Sequence, residues 1–102
     1  MQDLSQGDIV KLGGYKDLFL VVSKNAYLRV TDMIHVCPVS PRIKEGPLHI
    51  CINGKQGTKG VVLCEQIRLV DAATRGAQRI DRLSYGDIME VSDAIQGIFE
   101  YD

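Results

Sequence analysis

The chain has 102 residues, 45 % hydrophobic and 25 % charged, with a net charge of −1, which fits one soluble globular domain over 1–102 with a modest core. So even a charge balance supplies no global basic field, and any nucleic-acid contact has to come from a local patch. No apolar run approaches the roughly 18 residues of a membrane span, the polar start MQDLSQGD is unlike a signal peptide, and three cysteines without a tight pair fit reduced thiols in a cytoplasm.

Gly7-Asp8 leads into residues 9–12, a short alternating strand that Gly13-Gly14 end in a turn. Residues 17–23 (DLFLVVS) read as a buried strand, while 25–31 (NAYLRVT) stay open between loop and strand. Residues 33–40 (MIHVCPVS) are apolar, and Pro38 among them predicts an edge position, a bulge or the strand's effective end. A charged loop with two prolines follows at 41–47. Residues 48–52 (LHICI) alternate strictly as a strand, and Asn53-Gly54 signals a tight turn. Residues 60–70 read as one continuous strand. Residues 72–76 make a single helical turn closed by glycine, and 79–83 a short extended piece. Ser84, with Asp87 three residues on, resembles a capping box and opens a helix whose apolar face is Ile88, Val91, Ile95, Ile98 and Phe99. Many short strands and one C-terminal helix predict a mainly β fold, a small bent sheet or partial barrel with the helix on one side.

In GVVLCEQIRLVD (60–71) an apolar run gives way to an acid, an amide and a guanidinium. Along a continuous strand, Glu65 shares a face with Leu63 and Ile67, and Arg68 lies on the opposite one. An acid on that apolar face is paired, or lies near the sheet's open end, or has a raised pKa suited to proton transfer. HVC (35–37) and HIC (49–51) repeat one spacing. If they pair as a hairpin about residue 43, His35 faces Cys51 and Cys37 faces His49, a zinc-capable set. Core cysteines and hydrogen-bonded strand histidines are the plainer reading, so neither metal nor cofactor is expected. The loop SPRIKEGP (40–47) carries Ser40, Arg42 and Lys44, and Lys11 and Lys16 flank the GGY turn at 13–15. Converging on one rim, they would bind phosphates, with Tyr15 to stack on a base; the alternative is solvated loop charge. Arg75, Arg79 and Arg82 read as a solvated face or an interface. No Ser-His-Asp elbow, P-loop, dinucleotide glycine motif or helix-borne metal motif is present.

Taken together, GDIV (7–10), LVVS (20–23), VCPVS (36–40) before PLHI, and above all GVVLCEQIRLVD resemble the MazF/PemK/Kid family of bacterial toxins from type II toxin–antitoxin modules, over nearly the whole chain. RGAQRIDRL and the following IMEV are closest to the PemK/Kid branch. The resemblance implies a small SH3-like barrel of strongly bent antiparallel strands, MazF/CcdB-like, forming a homodimer. It also implies metal-independent, sequence-specific cleavage of single-stranded RNA (mRNA) through attack of the ribose 2′-hydroxyl on the adjacent phosphate, a reaction that needs a base, an acid and donors for the developing charge. The implied partner is an acidic, partly disordered cognate antitoxin covering the RNA groove.

By position, Ser40 matches the family's active-site Thr/Ser, which would hydrogen-bond the scissile phosphate. Glu65 matches the acid of the Asp/Glu-Gln-x-Arg motif, with an acid–base role. Two cations the family supplies are replaced: an Arg-Pro before the second strand is Asp17-Leu18 here, and an arginine two before the acid is Leu63. The first loop also lacks the histidine of the PemK/Kid branch. Arg42 or Lys16 is the expected substitute cation, and Tyr15, Lys11, Lys44 and Arg68 complete the expected substrate-binding set. The alternative is a catalytically degenerate member that acts by binding a target protein (as the related CcdB toxins bind DNA gyrase), an antitoxin or RNA.

Overall fold

The computed structural model describes residues 4–102. Seven strands, β1 (Asp8–Lys11), β2 (Leu18–Val21), β3 (Met33–Ser40), β4 (His49–Asn53), β5 (Lys59–Leu63), β6 (Arg68–Asp71) and β7 (Gln78–Arg82), form one antiparallel sheet. Three helices interrupt or follow them: α1 (Asn25–Val30), α2 (Ala72–Arg75) and α3 (Tyr85–Ile98). The strands run in the order β4-β5-β3-β2-β1-β7, with β6 also paired to β3. The mainly β reading with a C-terminal helix therefore holds.

The eight residues of β3 are the spine. One edge of β3 pairs with β2 over Val36–Val39; the other is shared by β6 over Met33–Val36 and β5 over Val39–Ser40. This sharing explains Pro38, which stands in the most central strand and not at an edge. His35 gives its amide to Ser23 Oγ (2.7 Å), and its carbonyl accepts from Val22 (2.9 Å), so odd residues of β3 bond toward β2 and even residues away from it. Pro38 falls where β6 has ended and β5 begins, and no strand residue is registered opposite it there. A residue without an N–H sits at that changeover at little cost.

Each face of the sheet carries its own core. Ile9, Leu20, Cys37, Val39, Ile50, Ile52, Val62 and Cys64 cluster on the face that α3 covers with Val91, Ile88, Ala94 and Ile95. Val10, Phe19, Val21, Ile34, Val36 and Val70 cluster on the other, under Tyr15, Leu28, Ala72 and Ala77. Burying one such aliphatic side chain contributes about 1.5–3 kcal/mol, so the two clusters hold the strands from both sides. The helix face read from the sequence is correct up to Ile95. Beyond it Ile98 is 37 % and Phe99 72 % exposed, because the helix overhangs the sheet.

Local chemistry explains the ends of the short elements. Ser84 caps α3 by accepting from the Asp87 amide (3.4 Å), and Asp71 caps α2 by accepting from the Thr74 amide (3.1 Å). Gly76 closes α2 in the left-handed region at φ 61°. Residues 25–31, open between loop and strand in the sequence, contain helix α1; three β-formers among them yield to a turn of helix that lays Leu28 on the second core. The Asn53-Gly54 turn is wider than its signal suggests. Residues 54–58 form the loop, closed by Gly54 N–H to Thr58 O at 2.6 Å. Asp81, 4 % exposed, reaches into this loop and accepts from the amides of Gln56 (2.8 Å), Thr58 (3.0 Å) and its neighbour Arg82 (2.7 Å). Any side chain at position 54 would collide with that carboxylate, which is why glycine stands there.

Candidate functional site

Paired residues of an antiparallel ladder project to the same face. Ser40 pairs with Val61, which pairs with Cys51; His49 pairs with Leu63; Phe19 pairs with Pro38. All seven therefore share the face away from α3, and continuing the register sets Pro38 beside Leu63. A row His49–Leu63–Pro38–Phe19 crosses four strands there, with Ser40 one position to its side.

The signature stretch is not one strand. Lys59–Leu63 is β5, residues 64–67 turn, and Arg68–Asp71 is β6 on the other half of β3. The turn shifts the alternation by one residue. Val61 and Leu63 lie on the face away from α3, and so do Arg68 and Val70, registered with Val36 and Ile34. Continuous alternation separates Glu65 from Arg68; the turn returns Arg68 to the face where Glu65 has its partner.

That partner is His49. Its Nε2 lies 3.1 Å from Glu65 Oε2, with the side chains 31 % and 38 % exposed, a hydrogen-bonded pair open to a ligand. The hydrogen bond from His49, and next the residue's own backbone amide, hold the Glu65 carboxyl below the usual glutamate range, against a small opposing effect of burial. The raised pKa entertained from the sequence is therefore corrected: Glu65 lies at the solvated rim, not within the apolar face, and it is ionised at neutral pH. Among the described residues no lysine or arginine forms an ion pair with it.

Ser40 is half-buried at the end of β3, and its Oγ accepts the Arg42 amide (3.2 Å), which sets the course of the following loop. The Arg42 and Lys44 side chains are exposed on that loop and make no ion pair among the described residues. Tyr15 packs edge-on against Phe19 (centroids 5.2 Å, planes at 77°), and the Arg68 guanidinium lies 5.7 Å from the Tyr15 ring centroid and 5.8 Å from that of Phe19. Lys16 follows Tyr15 in an exposed bend. Lys11 is not brought to this surface: it pairs with Leu18, itself paired with Val39, on the α3 side of the sheet.

The His-x-Cys hairpin does not form, because β5 lies between β3 and β4. His35 bonds to Ser23 instead, and no group of three potential metal-ligating side chains occurs among the described residues. Burial first, then the neighbouring Cys64 and Glu65, push the Cys37 thiol up to about 12; burial and Glu65 push Cys64 up to about 11, so both are inert core residues. Arg79 (3.6 Å) and Arg82 (3.0 Å) pair with the fully buried Asp8, so neither is merely a solvated charge.

His49 is the residue that sequence reasoning missed as a proton-transfer candidate, since it was visible there only as a hypothetical metal ligand. The signal lay in the hairpin register, which pairs it with Leu63, two residues before the acid.

No curated protein matches the chain by sequence. Among solved structures, a MazE–MazF complex from Deinococcus radiodurans (Form-II) shares 27 % identity at a TM-score of 0.85, with both chains covered in full. MazF from the same organism (Form-I) shares 25 % identity over 96 % of this chain and 97 % of that one, TM-score 0.82. A mycobacterial endoribonuclease in complex with its cognate antitoxin has 16 % identity over 97 % and 99 % of the two chains, TM-score 0.82, a likeness of fold alone. The curled antiparallel sheet with its C-terminal helix is thus the MazF architecture. A profile of the PemK-like, MazF-like toxins matches residues 6–99, and the chain belongs to this family of toxins of type II toxin–antitoxin systems.

Proposed function

We propose that the chain, as one toxin domain, cleaves single-stranded RNA in the cytoplasm by a metal-independent, sequence-specific route. The His49–Glu65 pair carries the reading: an ionised carboxylate and an imidazole 3.1 Å apart, exposed on the face that also holds Ser40. Glu65 accepts the proton of the ribose 2′-hydroxyl as its oxygen attacks the adjacent phosphorus. The phosphorus–O5′ bond breaks, and protonated His49 supplies the proton that the leaving oxygen takes up. Ser40 donates its hydroxyl to a phosphate oxygen, and Arg42, from the loop that Ser40 anchors, offsets the charge developing there. Lys44, Lys16, Tyr15 and Arg68 bind the flanking nucleotides. Lys11, on the other face, falls outside this set.

The similarity to MazE–MazF structures supports an antitoxin as partner, and the exposed Phe99 and Tyr101 at the end of the chain support a homodimer. A second reading, binding without cleavage, is favoured by Leu63. This buried aliphatic side chain (5 % exposed) occupies the position beside His49, and among the described residues no lysine or arginine pairs with Glu65. Inducing the protein in a bacterium and mapping RNA 5′ ends separates the two. Discrete new ends that vanish with Ser40→Ala and Glu65→Gln support cleavage. Growth arrest without new ends supports binding, and overturns the nuclease.

A further inference from the structure

Arg75 lies with its guanidinium 5.1 Å from the Tyr15 ring centroid, on the same ring that Arg68 approaches to 5.7 Å. Both arginines are exposed, and among the described residues neither forms an ion pair. Two like charges gathered on one aromatic side chain repel each other, and the ring's quadrupole offsets only part of that, on the order of 1 kcal/mol per cation. An anion between them would remove the conflict.

The arrangement is also held by the backbone. The Gly13 amide donates to the Arg75 carbonyl (2.7 Å), docking the β1–β2 loop onto the end of α2. A Cβ at Gly13 would stand 2.8 Å from that carbonyl oxygen, so the close approach needs glycine. Tyr15 is fixed from the other side by its edge contact with Phe19.

Building on the RNA-cleavage reading, we propose that Arg68 and Arg75, gathered on Tyr15, clamp a non-scissile backbone phosphate of single-stranded RNA. The row His49–Leu63–Pro38–Phe19 spans three strand spacings, about 14 Å at 4.8 Å each, so the clamped phosphate is a few nucleotides from the bond cut beside Glu65. The guanidinium forks match phosphate oxygens bidentately. Leu63, Pro38 and Phe19 of that row are buried, so the row sets the spacing, and the exposed groups at its two ends, the His49–Glu65 pair and the two arginines, are what a strand of RNA would touch. The clamp's position on the face that carries the His49–Glu65 pair favours RNA over an acidic peptide, because one strand could then reach both.

The test uses 2′-O-methyl oligonucleotides, which lack the nucleophile, in a ladder lengthened one nucleotide at a time from a dinucleotide. Binding to the wild-type protein steps up once the ladder reaches the clamp. In the Arg68→Gln/Arg75→Gln double variant the step disappears, about tenfold in affinity for each guanidinium lost, and the salt slope drops by about 0.7 per lost phosphate contact. Tyr15→Leu lowers the step and Tyr15→Phe retains it. A step unchanged in the double variant, or no step in the wild type, overturns the clamp alone, provided that RNA is still cleaved at discrete sites. No binding at any length overturns the RNA reading with it. A glutamate-rich peptide that binds as tightly as the long oligonucleotides, and is lost in the double variant, reassigns the clamp to a protein partner and overturns the proposal.

Discussion

Glu65 and Asp81 are both depressed carboxylates, and they are depressed for opposite ends. Burial works to raise the Asp81 pKa, but the Thr58 hydroxyl and the amides of Gln56, Arg82 and Thr58 bring it to about 2. Its bonds are spent on one loop, and 4 % of its surface is left for anything else. Glu65 is lowered first by His49 and then by its own amide, and more than a third of its side chain stays exposed. One carboxylate is saturated and silent; the other is ionised and within reach. A perturbed pKa therefore marks a functional acid only together with access.

The sharpest way to break this contrast is Glu65→Gln, which keeps shape and removes the base. RNA cleavage should fall about 10²–10⁴-fold with the melting temperature unchanged within error, read by gel assay and calorimetry on the same preparation. If melting drops as much as activity, Glu65 is structural. Asp81→Ala should do the reverse. It leaves the part-buried Gln56 and Thr58 amides of the 54–58 loop without their acceptor and should cost about 1–3 kcal/mol, lowering the melting temperature by roughly 5–15 °C. The stability Asp81 supplies is full above the unfolded aspartate pKa near 4 and is lost as pH falls through about 2. The acid arm of a pH–stability curve should therefore flatten in Asp81→Ala and change much less in Glu65→Gln, whose lowered carboxyl is exposed and screened by solvent.

His49→Ala removes the proposed general acid and should also cost about 10²–10⁴-fold in rate, and a shift in the residual pH profile should separate His49 from a passive neighbour. Because His49 lowers the Glu65 pKa, His49→Ala should move the acidic limb of the cleavage rate upward, toward the ordinary glutamate range. An unmoved limb would show that some other group titrates there. The smallest effect is expected from Lys11→Gln, on the far side of the sheet, which should leave RNA affinity and its salt dependence unchanged.

How much of this the sequence revealed depends on the range of the interaction. The capping of α3 by Ser84, the glycine end of α2 and the alternating β4 involve neighbours within four residues, and local patterns state them. The sharing of β3's edge between β5 and β6, which makes room for Pro38, is not local. Nor is the His49–Glu65 pair, which joins residues 16 apart through a hairpin register. The family motif singles out Glu65 and Ser40 as candidates. It could not show that the acid's partner is a histidine on the neighbouring strand, nor that Arg75 shares Tyr15 with Arg68, since α2 and the first loop meet only in three dimensions.

The four-residue turn between β5 and β6 acts like a reading frame. Every side chain of β6 takes its face from the number of residues in that turn, so one insertion or deletion would exchange Arg68 and Val70 with Leu69 and Asp71. The loop at 41–47, mostly exposed and bounded by Pro41 and Pro47, sets no such phase. Across descendants of this sequence, length should drift in the proline loop and stay frozen in the turn, even where the turn's residues change.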